Sequence, residues 1–140
     1  MNRAVYNTLV KGKEEGRKHF AVLIDPDRNK LKHLEATVSN AVDCGVDFFF
    51  LGGSLLMDDV MDKTIRFIKQ HCDIPLILFP GSTIQINPAA DAILLLSLIS
   101  GRNPELLIGK HVEAAPYLIK SKLEVISTAY VLIDGGAPTT

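Results

Sequence analysis

Residues 20–27 read Phe-Ala-Val-Leu-Ile-Asp-Pro-Asp, and this stretch decides the fold. Five consecutive apolar residues bounded by a proline are typical of a strand buried on both faces, as in parallel α/β sheets. The strand ends at Asp25, so a carboxylate lies at the carboxyl end of a strand, where α/β folds bind their ligands. The pattern therefore predicts a parallel sheet and a candidate site at one edge of it.

The same pattern recurs four more times along the chain. Further strands are predicted at residues 46–51, 74–79, 92–98 and 125–133. The residues that follow the strands, here called the strand exits, are Gly-Gly-Ser at 52–54, Pro-Gly-Ser at 80–82, Ser-Gly-Arg at 100–102 and Asp-Gly-Gly at 134–136. Apolar spacing predicts helices at 4–18, 31–44, 56–70 and 106–120, the last broken near Gly109, and a loop between strands three and four. This alternation is typical of a parallel sheet covered by helices.

Two architectures fit that alternation, an open doubly wound sheet and a (β/α)₈ barrel. Each unit takes about 27 residues, so eight units need roughly 220, which lies within the range of such barrels. Val-Leu-Ile-Asp at 22–25 also recurs at 131–134, on strands that would lie opposite each other in a barrel. We therefore predict an α/β, parallel (β/α)₈ TIM barrel. Residues 1–140 would form a single incomplete domain with strands one to five, strands six to eight being absent.

Composition and charge argue against several classes of function. A formal net charge of −1 gives no electrostatic reason to expect nucleic-acid binding. The apolar runs reach about eight residues, whereas a membrane span needs roughly twenty, and the N-terminus lacks the apolar core of a signal peptide. Cys44 and Cys72 form no C-x-x-C pair and fit packing positions in a reduced compartment, so we expect a cytoplasmic protein.

Oxygen ligands at the strand exits predict a site for Mg²⁺. Asp25 and Asp27 follow the first strand, and Mg²⁺ often takes one or two carboxylates together with substrate phosphates. Gly52 and Gly53 would let backbone N–H groups approach an anion, and Ser54 could complete the metal's ligands. The alternative is that Asp27 and Ser54 only cap the turns that follow them, while Asp25 makes a buried hydrogen bond.

Other residues near these exits allow two interpretations. Gly81 and Arg102 are candidates for contacts to phosphate, although Arg102 also fits an ordinary surface position. The Leu, Ile and Phe residues of 76–79 and 94–96 fit the barrel core, and they also fit a groove for an apolar substrate.

Five motifs in collinear order carry a resemblance to a known family. They are His-Phe-Ala-Val-Leu-Ile-Asp-Pro-Asp at 19–27, Phe-Leu-Gly-Gly-Ser at 50–54, Leu-Phe-Pro-Gly-Ser at 78–82, Leu-Ile-Ser-Gly-Arg-Asn-Pro-Glu at 98–105 and Ser-Thr-Ala-Tyr-Val-Leu-Ile-Asp-Gly-Gly at 127–136. Together they resemble the geranylgeranylglyceryl phosphate synthase family, in its bacterial and archaeal group II branch. The resemblance implies a barrel prenyltransferase of ether-lipid (phospholipid) biosynthesis, which uses Mg²⁺ to join sn-glycerol 1-phosphate to a long prenyl diphosphate.

The resemblance also implies roles for individual residues. Asp25 matches the family's metal-binding aspartate on strand one and Ser54 its second metal position, where Mg²⁺ holds the diphosphate leaving group. The diphosphate side would further include Asp27, Gly52, Gly53, Gly81 and Arg102. The family's glycerol-phosphate site on strands six to eight, with its Tyr-x-Glu stretch on strand six, has no counterpart in these residues. The catalytic residues therefore stay unassigned, and we expect no turnover by the 140 residues alone.

Two other functions stay open. A non-enzymatic half-barrel could dimerise to bury its open sheet edges, since unpaired edges favour association; on either interpretation we expect a homo-oligomer without a transmembrane span. An open-sheet receiver domain fits Asp25 and Asp27, but it is disfavoured because Asp58 and Asp59 fall at a helix start, away from a strand exit.

Overall fold

The computed structural model of the chain describes residues 3–26, 31–53, 58–82, 85–133 and 136. Four helices and five strands alternate along these residues, with two short 3₁₀ turns at Leu31–His33 and Pro104–Leu106. In chain order they are α1 (Ala4–Glu14), β1 (Ala21–Ile24), α2 (Leu34–Asp43), β2 (Phe48–Leu51), α3 (Asp58–His71), β3 (Leu76–Leu78), β4 (Ala92–Leu98), α4 (Gly109–Ser121) and β5 (Glu124–Tyr130).

The five strands form one sheet, and all neighbouring pairs are parallel. Their spatial order, β1-β2-β3-β4-β5, follows the chain order without a reversal. A doubly wound sheet reverses its strand order at a switch point, whereas a barrel adds each strand to the same side. The strand order therefore supports the predicted barrel and excludes the receiver-type open sheet.

Alternate residues of the strands face two apolar layers. One face includes Phe49, Leu51, Leu76 and Leu78, all essentially inaccessible to solvent, and it packs against α2, α3 and α4. The other face, which would point into the barrel, includes Phe48, Ile77, Ala92, Leu94 and Ile126, and Val5 of α1 packs on it. Burial on both faces explains why β2 and β3 are continuous apolar runs without polar alternation. The same burial predicted for β1 was wrong for the described residues, because β1 is an edge strand of this sheet and Leu23 is 58% exposed.

Helix α1 lies across the amino ends of the strands on the inner face. The backbone N–H groups of Val5 and Tyr6 donate to Glu124 Oε2 and Oε1, over 3.0 and 2.7 Å. Glu124 is the first residue of β5 and is 8% exposed. A carboxylate at this end of a helix accepts otherwise unpaired N–H groups and interacts favourably with the helix dipole.

Two helix ends were predicted correctly from local sequence signals. Gly45 has a φ of +67° directly after the cap residue of α2, as a glycine at that position predicts. The Asn103 side chain accepts a hydrogen bond from the Glu105 N–H over 3.0 Å, as its predicted role as a cap requires. No helix is described between β3 and β4, over residues 79–82 and 85–91, which confirms the predicted loop.

Several predicted element ends differ from the structure; helix α1, expected through residue 18, ends at Glu14, and β3, expected at 74–79, is limited to Leu76–Leu78. The break expected near Gly109 in the helical residues 106–120 is confirmed, since the 3₁₀ turn Pro104–Leu106 is followed by a separate helix, α4, which begins at Gly109. The fifth strand, expected through residue 133, ends at Tyr130 because its partner β4 ends at Leu98. Beyond that point the Leu132 N–H donates to Ser100 Oγ over 3.0 Å, and Ile133 is 89% exposed.

None of the helices within the described residues is both long and apolar enough to cross a bilayer.

Candidate functional site

A groove opens at the carboxyl ends of the strands because the strands differ in length. β3 pairs with β4 only as far as Leu78 and Ile93, whereas β4 and β5 stay paired to Leu98 and Tyr130. The extended β4–β5 pair forms a wall beside the exits of β2 and β3, and the cavity there measures about 520 Å³. Its lining is mainly apolar and includes Leu23, Phe79, Leu94, Leu96, Leu98, Leu106 and Tyr130, with Gly52, Gly53, Gly81 and Ser82 at the strand exits.

Asp25 and Gly53 lie against each other at the exits of β1 and β2. A Cβ atom added to Gly53 would stand 2.6 Å from Asp25 Oδ1, so only glycine leaves room for the carboxylate where it lies. The half-buried Asp25 follows β1, as the sequence predicts. The structure thus brings together two of the residues assigned to the metal and diphosphate site.

Gly52 is required mainly by the sheet. A Cβ atom added here would lie 1.7 Å from the carbonyl oxygen of Phe79, which no side chain can tolerate. The Gly52 N–H donates to the carbonyl of Ile24 over 3.2 Å. Its amide is therefore already used inside the protein, and the close approach of β2 to the β3 exit accounts for the glycine.

Gln85 connects two of the glycine exits, and the sequence analysis did not identify it. Its Oε1 accepts from the Gly81 N–H and its Nε2 donates to the Gly53 carbonyl, each over 2.8 Å. The residue is only 2% exposed. A glutamine in a loop carries no local signal of this role, because its two partners follow different strands.

The groove also contains aromatic and basic residues that the sequence analysis did not assign to a site. The ring of Phe79 lies 6.0 Å from that of Phe50 and 5.9 Å from that of Tyr130, between centroids. His111 Nε2 lies 2.8 Å from the Leu96 carbonyl oxygen. Lys110 also lines the groove. Both basic residues lie in the first turn of α4 and line the groove, a placement that the local sequence pattern does not predict.

Two neighbouring carboxylates stabilise the positive charge of Lys110. Its Nζ donates to Glu113 Oε2 over 2.9 Å. Glu113, through this bond and its charge, raises the pKa of Lys110, and Glu105 adds a smaller effect in the same direction. Lys110 therefore carries a positive charge at neutral pH beside an apolar groove, where it can attract an anionic group.

The other predicted site residues are less well placed or lie outside the described part of the chain. Arg102 is exposed in the turn after β4 and does not line the groove. Asp27 and Ser54 lie outside the described residues, so their predicted roles stay predictions. Gly81 lines the groove, but its N–H is donated to Gln85.

The described residues fit a magnesium site built on a single carboxylate. Among them, no group of three or more His, Cys, Asp or Glu side chains could enclose a metal ion. Mg²⁺ does not require such an enclosure, since it usually keeps several waters and takes one or two carboxylates plus substrate phosphates. Asp25, at the end of β1 and against Gly53, supplies the one carboxylate that such a site requires.

Fold and site together define the class of protein. A parallel sheet in sequential order, with a carboxylate and glycine-rich exits at the carboxyl ends of its strands, is typical of the binding face of a (β/α)₈ barrel. Comparison with known proteins then gives the family. The chain belongs to the PcrB family, whose model matches residues 13–139.

Individual relatives agree with this assignment. A geranylgeranylglyceryl phosphate synthase from Chitinophaga pinensis is 53% identical over 140 residues, which are 100% of this chain and 56% of that protein. A synthase of the same description from Spirosoma linguale is 49% identical over 128 residues, or 91% of this chain and 51% of the relative. The chain therefore spans about half the length of the curated relatives it matches.

A solved structure shows the same fold. The crystal structure of (S)-3-O-geranylgeranylglyceryl phosphate synthase from Thermoplasma acidophilum, in complex with sn-glycerol-1-phosphate, superposes with a TM-score of 0.84 at 35% identity. The match covers 97% of this chain and 55% of that one. The comparisons confirm the resemblance inferred from the five motifs and the barrel class.

Proposed function

We propose that these residues form the metal- and diphosphate-binding part of a prenyltransferase that joins sn-glycerol 1-phosphate to a long prenyl diphosphate. The names of the relatives support the reaction class. The observation that carries the proposal is the Asp25 carboxylate held against Gly53 at the mouth of an apolar groove. A carboxylate for the metal beside an apolar channel matches a substrate with a diphosphate head and a hydrocarbon tail.

Different residues of the chain would bind the hydrocarbon tail and the diphosphate of the substrate. Leucines and aromatic rings of the groove bury the prenyl tail. They also exclude water, which would otherwise react with the prenyl carbon in place of glycerol phosphate. Asp25, with Ser54 from the sequence, would hold Mg²⁺, which neutralises charge on the diphosphate. Lys110 adds a positive charge near the same groove.

The reaction exchanges one carbon–oxygen bond for another. The bond between the prenyl carbon and the diphosphate breaks, and the diphosphate leaves with the electron pair. A hydroxyl oxygen of glycerol phosphate forms the new bond to that carbon, and its proton passes to the released diphosphate or to solvent. Stabilising the charge that develops on the leaving group is the main task of such a site.

Binding of inorganic pyrophosphate tests the proposal directly. Isothermal titration of the 140-residue protein with pyrophosphate at saturating Mg²⁺ should show binding that disappears when Mg²⁺ is removed. Asp25→Asn should weaken it by at least about tenfold, because the variant keeps the shape but loses the charge. Asp43→Asn, an equal change of charge at an exposed position on α2, serves as the control. Equal affinity of the Asp25→Asn variant and the wild type would refute the proposal.

Turnover is a separate question from binding. We expect the 140 residues alone to give no ether-linked product from prenyl diphosphate and sn-glycerol 1-phosphate, because the resemblance assigns the acceptor site to strands six to eight. Product formation by the purified 140-residue protein, detected by mass spectrometry, would contradict this expectation.

We further propose that two copies of the chain pair through the outward face of α4. Val112 and Ile119 are 67% and 72% exposed, and they lie on opposite sides of Pro116 along the helix. Glu113 and Lys120 flank Pro116 in the same way. Two antiparallel helices around a two-fold axis near Pro116 bring Val112 to within one residue of Ile119 of the partner subunit, and Glu113 to within one residue of Lys120 of the partner subunit. The surface is therefore self-complementary.

A gap in the outer layer accompanies this surface. Residues 86–88 and α4 border a cavity of about 800 Å³, lined by Ile86, Pro88, Val112, Glu113, Pro116, Tyr117, Lys120 and Ser121. It lies where other units of the barrel have a covering helix, whereas the described residues between β3 and β4 form none. This pairing also suits the alternative function, a non-enzymatic dimerising module. Dimerisation without any Mg²⁺-dependent binding of pyrophosphate would favour that alternative.

A further inference from the structure

Gln85 is a buried polar side chain that holds two strand exits together. It lies in the connection between β3 and β4, with one amide atom bonded to each exit. The bond to Gly53 joins residues 32 positions apart, on the β2 exit and in the β3–β4 connection. The bond to Gly81 fixes the turn after β3.

The amide of glutamine satisfies both partners at this position. The Gly81 N–H needs an acceptor and the Gly53 carbonyl needs a donor, and a terminal amide offers one of each. Glutamate at neutral pH would keep the acceptor but place a negative oxygen against the Gly53 carbonyl. Leucine would leave both backbone groups unpaired in a buried place, which proteins rarely tolerate.

The Gly53 backbone connects Gln85 to the carboxylate of Asp25. Its carbonyl is held by Gln85, while its Cα faces Asp25 Oδ1 with less space than one Cβ atom requires. A small displacement of Gly53 therefore changes the space beside Asp25. Resting on the proposed function, we propose that Gln85 is a positioning residue, which places the β2 and β3 exits at the separation that a Mg²⁺-bound diphosphate requires.

Titration calorimetry separates positioning from simple structural support. It gives the fraction of competent protein and the dissociation constant independently. We expect Gln85→Glu and Gln85→Leu to raise the Kd for pyrophosphate at saturating Mg²⁺ at least about tenfold, with an unchanged binding stoichiometry, because a lost buried hydrogen bond corresponds to a change of this size. Gln70→Glu and Gln70→Leu, at an exposed position of α3, are the matched controls.

The possible results separate the two hypotheses. A lower stoichiometry with an unchanged Kd in the Gln85 variants would show that Gln85 only supports folding, and it would overturn the inference. Loss of binding in Asp25→Asn with full affinity in both Gln85 variants would overturn the role of Gln85 and leave the proposed function standing. Absence of Mg²⁺-dependent binding in the wild type would overturn both. Gln85→Glu, the nearly isosteric variant, keeps the test valid if Gln85→Leu does not fold.

Discussion

At the residue scale, the two adjacent positions after β2 must be glycine for different physical reasons. A side chain at position 52 would overlap the backbone carbonyl of Phe79, and a side chain at position 53 would overlap the carboxylate of Asp25. The first restriction concerns the fold and the second the site. Adjacent positions in one Gly-Gly pair can therefore be distinguished by experiment.

Alanine substitution should separate the two glycines. Gly52→Ala should lower the free energy of unfolding by about 3 kcal/mol, because the new methyl group overlaps the Phe79 carbonyl and the strands must separate. Gly53→Ala should unfold at nearly the wild-type urea concentration but bind Mg²⁺ and pyrophosphate more weakly, since the methyl group displaces Asp25. Urea titration and calorimetry measure the two effects. Equal loss of stability in both variants would contradict the distinction.

Asp47 is a second residue whose chemistry can be tested. Its carboxylate accepts from the Phe20 N–H over 2.8 Å and pairs with Arg17 over 2.5 Å, and His19 Nδ1 lies 3.3 Å away. The Phe20 hydrogen bond, followed by His19 and Arg17, lowers the pKa of Asp47 although desolvation opposes the shift. The ionised carboxylate is therefore the form that stabilises the fold.

The sign of the pH dependence follows from this lowered pKa. The contribution of Asp47 should be fully present above the ordinary aspartate pKa of about 3.9 and lost as the pH falls through the lower folded value. Asp47→Asn should therefore melt below the wild type at pH 7, and the difference should shrink as the pH falls below about 4. Circular dichroism melts across this range measure it. A difference that stays constant with pH would refute the assignment.

At the element scale, carboxylates at the amino ends of strands join neighbouring elements. Asp47, just before β2, exchanges two hydrogen bonds with Phe20, just before β1. Asp91, just before β4, does the same with Leu76 of β3, and Lys69 pairs with it as Arg17 pairs with Asp47. This end of the sheet therefore contributes stability, while the opposite end carries the candidate site.

Glu124 extends this arrangement to helix α1. Glu124→Ala leaves the N–H groups of Val5 and Tyr6 without their acceptor, so we expect a loss of about 2 kcal/mol in the free energy of unfolding. Trypsin should also cut faster after Lys11 and Lys13, on the released helix. Urea titration and timed proteolysis measure the change. Glu14→Ala, on the exposed side of α1, is the control, and equal behaviour of the two variants would argue against the cap.

At the scale of the whole molecule, a charge exchange tests pairing through α4. Lys120→Glu should raise the dimer dissociation constant at least about tenfold, because it places two like-charge contacts in a symmetric interface. The double variant Glu113→Lys, Lys120→Glu should recover the wild-type value. Lys18→Glu, an equal change of charge near β1, is the control, and sedimentation equilibrium measures all four proteins. A monomeric wild type, or a dimer indifferent to Lys120→Glu, would contradict the proposed surface.

Much of the fold could be predicted because its signals are local. Apolar runs gave the strands, and β4 was predicted at its observed bounds, residues 92–98. Gly45 and Asn103 marked helix ends through backbone geometry and side-chain capping that act within a few residues. The end of β5 was missed because the length of a strand depends on its neighbour, and β4 offers no partner beyond Leu98.

The sequence by itself determined the order of elements, the parallel sheet and the place of Asp25 at a strand exit. Periodicity and residue type express these properties locally, and the five motifs carried the family. Only the tertiary structure decided which atoms meet. Glu124 caps a helix 119 residues away, and Gln85 bonds a carbonyl 32 residues away. Such contacts leave no trace in local pattern, because the chain must fold before their partners become neighbours.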